Sequence, residues 1–219
     1  MKVLFRDIRA GDVTSVRNRL DKQPNLLAAT ATSPPKKDDG QSPLQVAIKS
    51  GPSNAYAMAN LLLDYGADVN FQEISEVNSW TAPVLHDSII NAVLSSRGYG
   101  LRRHDDALAD AAFALLARLL DLGADVHATD STGTDAMGRF ARCAAQVWTP
   151  SLIDEDLLQP DLRRTADLLL AHGAHPNRVL RSYGMTTLEM FAGKPLAEFL
   201  VPARSESRDR PAGARLAAT

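Results

Sequence analysis

Apolar positions along the chain recur in blocks. LLLDYGADVN (61–70), RLLDLGADVH (118–127) and LLLAHGAHPN (168–177) share one pattern, a leucine run followed by Gly-Ala and a polar turn. The leucines supply the buried stripe of an amphipathic helix. Gly66, Gly123 and Gly173 then stand where a helix ends in a left-handed residue, a conformation glycine adopts without steric cost. The alanine after each glycine is small enough to tuck under a neighbouring unit. Self-similarity of this kind predicts stacked helical repeats.

Upstream of the first block lies GQSPLQVAIKSG (40–51). Pro43 suits the first turn of a helix, where its missing N–H costs nothing, and the Ser42 hydroxyl can cap that helix. The stretch resembles the opening of an ankyrin repeat, Gly-x-Thr-Pro-Leu-His-x-Ala, with Ser42 in place of Thr and Gln45 in place of His. In ADVHATDSTGTDAM, Asp130 and Gly133 fall where that family places its β-turn Asp and Gly. Gly184 in SYGMTTLEM opens a last, truncated unit, and LFRDIRAGDVTSVRNRLDKQPNLL (4–27) resembles an N-terminal cap. The resemblance covers residues 4 to 200. It implies an all-α ankyrin-repeat solenoid of about five helix-pair units including capping units, with short β-turn fingers and long inserted loops. One domain is expected over 1–202: a cap at 1–27, repeats at 38–70, 78–127 and 131–177, and a C-terminal cap at 182–202. Residues 203–219 have little to bury and are expected to be disordered.

Against a family period of about 33 residues, Gly66 to Gly123 spans 57 and Gly123 to Gly173 spans 50. The third unit is expected to hold an inner helix from Pro83 to Leu94 and an outer one from Asp106 to Leu120. SSRGYGLRRHDD (95–106) is the insertion between them, with an aspartate starting the outer helix. In the fourth unit the inner helix spans Asp135 to Ala145, VWTPSLIDEDLLQP (147–160) follows, and the outer helix resumes near Leu162. Both long turns should emerge on one edge of the stack, where the arginines of the first and Asp154, Glu155 and Asp156 of the second could attract each other or present a mixed-charge surface to a partner. AATATSPPKKDDG (28–40), with Pro34, Pro35 and clustered charges, reads as a solvated loop.

Composition narrows the classes. Apolar residues make up 45% and charged residues 23%, as in soluble globular proteins. Aromatics at 5% favour helices packed through Ala and Leu. A net charge of −2 gives no pull toward nucleic acid or acidic lipid. Cys143 is the only cysteine, which rules out an internal disulfide and a multi-cysteine zinc site. Charges at Lys2, Arg6, Asp7 and Arg9 interrupt any signal-peptide core, and AAFALLA (111–117) is too short to span a bilayer. A cytoplasmic location is expected, with no membrane or nucleic-acid partner.

Candidate chemistry is thin. His86-Asp87-Ser88 has the residue types of a hydrolase triad, but consecutive helix positions diverge and cannot form a relay. His172 and His175 flank a turn without further ligands to complete a metal set. The acidic run 154–156 lacks calcium-loop spacing. Arg97-Gly98-Tyr99-Gly100 lacks the strand and helix a phosphate loop requires. No catalytic, cofactor or metal residue is therefore expected.

The ankyrin resemblance implies a partner-binding surface on the fingers and inner helices. By position it points to Asp38, Asp39, Gln41, Lys49 and Ser50, then Asn78, Ser79, Thr81, Ile89 and Ile90, with Trp80 where Gly is usual. In the later units it points to Ser131, Thr132, Thr134, Arg142, Cys143, Ser182, Tyr183 and Met185. Arg97, Tyr99, Arg102 and Arg103 are further candidates on the inserted loop. The function expected is a monomeric, non-enzymatic protein-binding module of bacterial type that neutralises or regulates an effector, toxin or enzyme, as an immunity protein does. The alternatives are an enzyme or metal protein with a site on loops 95–106 and 147–160, and a homo-oligomeric structural protein.

Overall fold

A computed structural model describes residues 1–32, 35–50, 52–99, 105–148 and 153–201. It is an all-α repeat solenoid decorated with short hairpins. α1 (Lys2–Ala10) ends at Gly11, whose φ of 69° closes the helix. Asp12 then caps α2 (Val13–Lys22) through the Ser15 N–H. Ser42 caps α3 (Pro43–Lys49) in a reciprocal capping box with Gln45, and α4 (Pro52–Asp64) returns antiparallel to it. α5 (Val84–Leu94) and α6 (Asp106–Asp121) occupy the ranges expected from sequence, with the Asp105 carboxylate accepting from Leu108 N–H. α7 (Ala136–Val147) is capped by Asp135 and followed by α8 (Glu155–Ala171). A short α9 (Thr187–Met190) and a 3₁₀ turn over Pro195–Leu200 end the described chain.

Packing sorts these helices into two layers. α1, α3, α5 and α7 stack in order as the inner layer, and α2, α4, α6 and α8 as the outer one. Between the layers runs a continuous apolar core from Leu4 to Leu200, with Phe140, Leu62, Leu85, Leu115 and Leu116 fully buried. The closing turn buries Leu196, Phe199 and Leu200 against α7 and α8. Gly66, Gly123 and Gly173 share one cap geometry, with φ of 85°, 88° and 88°. Each glycine N–H and the following alanine N–H reach back to consecutive carbonyls of the last helical turn. A Cβ on these glycines would meet nothing within 4 Å, so the backbone angle alone selects glycine.

The fingers come between units. β1 (Gln72–Ile74) pairs antiparallel with β2 (Thr81–Pro83), Glu73 opposite Ala82. β3 (Val179–Leu180) pairs with β4 (Met185–Thr186).

Two expectations need correction. α8 starts seven residues before Leu162, with Pro160 inside it, because Leu158, Leu162, Ala166 and Leu169 form one uninterrupted buried stripe. That stripe outweighs the single backbone hydrogen bond the proline removes. The 28–40 link is only partly solvated: Ala28, Thr30, Thr32, Lys36 and Lys37 are exposed, but the rest of its described residues are wholly or partly buried. Ala31, Asp38 and Asp39 are buried, and Ala31 exchanges backbone hydrogen bonds with Gly40 and Gln41, so the link serves as a finger. The 203–219 expectation lies outside the described residues.

Candidate functional site

The polar residues of the inner layer form a ladder from unit to unit. Gln41 donates to Glu73 (3.2 Å), and Lys49 Nζ reaches Glu73 (2.9 Å) and Asp87 (3.5 Å). Gln45 donates to the Ala82 carbonyl and to Asp87. One unit on, Arg139 pairs with Asp130, and His86 Nδ1 lies 3.8 Å from the same carboxylate. His86 and Asp87 thus point to opposite neighbours, and the three-residue run forms no relay. Burial lowers the His86 pKa to about 3, the Arg139 charge adding to this and Asp130 opposing it. Burial raises the Asp87 pKa to about 6, the nearby Glu73 charge adding and Lys49 opposing.

This ladder corrects several expected contacts. Asp38 is held by Arg9, and the Asp39 carboxylate accepts from Ser75 Oγ and the N–H groups of Glu76 and Val77. Gln41, Ile89, Thr134 and Cys143 are likewise buried. Their positions face the next unit, where packing leaves no room for a partner.

The finger of the third unit is the most exposed apolar feature. Asp39 anchors it on one side, and Thr81 O accepts from Ser131 N–H on the other. Gly40 lies so close beneath that a Cβ would sit 2.1 Å from Ile74 O. The tip carries no glycine, and Ser79 takes φ 57° while the Asn78 side chain accepts from Trp80 N–H. Outward stand Ile74 (64% exposed) and Val77 (45%), with Trp80 half-buried beside them and Asn78 exposed. Ile74 and Val77 were not singled out from sequence. Residues 72–77 read QEISEV, without the apolar–polar alternation that would mark a strand from sequence.

Four expected residues of the later units do come together. Arg142 Nη1 donates to Tyr183 Oη (2.5 Å), with the guanidinium 5.8 Å from the ring centroid. Thr132 and Thr134 share a hydroxyl hydrogen bond (2.9 Å). Tyr183 has its pKa lowered by the hydrogen bonds of Thr132, Thr134 and Arg142, with Thr132 the largest cause and burial opposing. Ser131 and Met185 are exposed nearby in the chain.

On the opposite side of each inner helix's end, the two long turns meet. Tyr99 and Ile153 form an antiparallel bridge, and Asp154 N–H donates to Gly98 O (2.8 Å). Arg97 binds Asp106 (2.7 Å), Asp110 (2.5 Å) and Asp161 (2.9 Å), and its own N–H donates to Asp161. Arg164 joins through Asp110 and Asp161. Among the described residues the expected pairing with Asp154, Glu155 and Asp156 is not seen, and Arg97 instead binds carboxylates of α6 and α8. Arg97 is therefore corrected from an open contact to an internal clasp, and Tyr99 packs against the core. Arg102 and Arg103 lie outside the described residues, as do His104 and residues 149–152 of the second loop.

The histidines of the fourth turn separate. His172 faces Asp121 (3.6 Å), while His175 stacks on His127 at 6.0 Å between centroids. Among the described residues no group of three or more His, Cys, Asp or Glu side chains is placed to hold a metal. Among them also, no helix is long and apolar enough to cross a membrane.

Residues 39–74, which run from the Asp39 anchor through α3 and α4 to the end of β1, match the family model of the ankyrin repeat. That stretch is an ankyrin repeat. Ankyrin repeats are generally protein–protein interaction modules, and the family is typically non-enzymatic. No curated protein matches the chain.

Proposed function

We propose that this ankyrin repeat protein acts as a monomeric, cytoplasmic binding module of bacterial type, whose activity is to hold and neutralise or regulate a partner protein. One observation carries the reading. The third finger is fixed from both sides, by Asp39 and by Ser131, while it holds out Ile74, Val77 and Trp80. An apolar tip ordered before binding loses little entropy on association, and tryptophan is enriched among residues that dominate interface energy. Thr81, Asn78 and Ser131 border this tip, and Arg142, Tyr183, Thr132 and Met185 extend the surface toward the C-terminal end. The ladder supports the same reading, since Lys49, Glu73 and Asp87 are committed to joining units and Arg139 to Asp130.

Affinity capture from the native cell extract tests this. A single protein retained in stoichiometric amount, and released by Trp80→Ala at unchanged melting temperature, supports it. Turnover of a substrate by the purified chain, or stoichiometric metal removed by a chelator, contradicts it.

A further inference from the structure

The three basic residues of α3, α5 and α7 are Lys49, Arg139 and Arg142. Lys49 is neutralised by Glu73 and Asp87, and Arg139 by Asp130. Arg142 differs: among the described residues no carboxylate lies within ion-pair distance of it, and its partner is a phenol. The arrangement is ordered nonetheless. The Tyr183 hydroxyl accepts one N–H, with the guanidinium 5.8 Å from the ring centroid, which leaves the remaining donors of a planar five-donor fork unassigned. Arg181, exposed at the turn of the same finger, also lacks a described carboxylate partner.

We infer that Arg142 and Tyr183 form a carboxylate-recognition point, which takes an aspartate or glutamate from an acidic segment of the partner protein. The inference rests on the binding-module reading and adds the chemistry of the partner to it. A half-buried arginine held in one geometry gives two parallel N–H donors to a carboxylate, and the Tyr183 hydroxyl supplies a third donor beside them. Nucleic acid is disfavoured because it needs a stripe of unneutralised cations. Here Lys49, Arg139 and Arg97 are all consumed internally. The cluster also lies open at the surface, with Tyr183 37% exposed, which suits a side chain offered by a macromolecule.

The test is a titration of the isotopically labelled full chain with a capped hexaglutamate peptide, followed through the Arg142 Nε–H and Tyr183 amide resonances. Hexaglutamine and inorganic phosphate at matched ionic strength are the comparison arms. Hexaglutamate is expected to shift both resonances, hexaglutamine neither, and phosphate weakly. Arg142→Gln should weaken the hexaglutamate response by about tenfold or more, as expected for loss of a bidentate charge-assisted pair. Tyr183→Phe should weaken it several-fold, and the remaining resonances of both variants should superpose on the wild type, showing an intact fold. Equal shifts in wild type and Arg142→Gln would overturn the inference, as would phosphate acting as strongly as hexaglutamate. If affinity capture still yields a partner whose binding ignores Arg142→Gln and salt, this point of recognition fails while the binding-module reading stands.

Discussion

His86 sits on the inner layer with 1% of its surface exposed, and neither ring nitrogen makes a hydrogen bond of ordinary geometry. Its pKa of about 3 lies below the ordinary 6.5, with burial the main cause. The unfolded chain therefore binds a proton that the folded chain refuses between those values. The stability contributed by neutral His86 is full above pH 6.5 and is lost as pH falls toward 3, at about 1.4 kcal/mol per pH unit. Asp87 works the other way, since its pKa of about 6 exceeds the ordinary 3.8 and its contribution is lost as pH rises through that window. His86→Leu should flatten the decline of melting temperature between pH 6.5 and 5, while Asp87→Asn should steepen it. Thermal denaturation across that range measures both, and a His86→Leu profile parallel to wild type would refute the assignment. Nothing in the residue string around His86 announces this role. Its partners Asp130 and Arg139 lie more than forty residues on, in the next unit. The glycine caps were legible because their requirement is local. Gly66, Gly123 and Gly173 each follow a leucine run and need only a left-handed backbone.

At the scale of elements, the two inserted turns behave as one device. Gly98 has φ 76°, and a Cβ there would lie 2.3 Å from Asp154 O. Gly98→Ala is expected to break the bridge between Tyr99 and Ile153. Hydrogen exchange should report it as lost protection at Asp154 N–H, with the Leu62 and Leu116 amides unchanged. Arg97→Ala removes three ion pairs and leaves Asp161, 2% exposed, with the backbone N–H of residue 97 and Arg164 as its only cation. The expected cost is about 2 kcal/mol, which for a chain of this size lowers the melting temperature by roughly 4–8 °C. An arginine free on a surface loop would show no such loss, so calorimetry of this variant tests the clasp. The helices flanking the insertion were legible to within two residues. Pro83, Asp105 and Asp135 are local stop and start signals, and the leucine periodicity fixes the faces. The clasp was not legible, because nothing in SSRGYGL says which aspartates of α6 and α8 will face it. Pro160 likewise invites a helix boundary that the Leu158–Leu169 stripe overrides.

For the whole molecule, the stack uses several of its ion pairs to join units and leaves recognition to a few side chains. Arg9–Asp38 and Lys49–Glu73 each link elements distant in sequence, and Arg118–Asp64 does so in the outer layer. Of the residues expected at the interface, Asn78, Trp80, Thr81, Ser131, Thr132, Arg142, Tyr183 and Met185 are exposed or half-exposed, whereas Thr134 is buried. A repeat pattern defines which positions can face a partner. Burial at each position depends on neighbours one period away, which is why Asp39 and Cys143 turned inward.

The measurement closest to the central claim is a hydrogen–deuterium exchange footprint of the chain with and without its captured partner. The account predicts slowed exchange over the β1–β2 finger, along α7 and in the β3–β4 finger, with α4, α6 and α8 unchanged. Protection confined to those outer helices, with the fingers untouched, would contradict it.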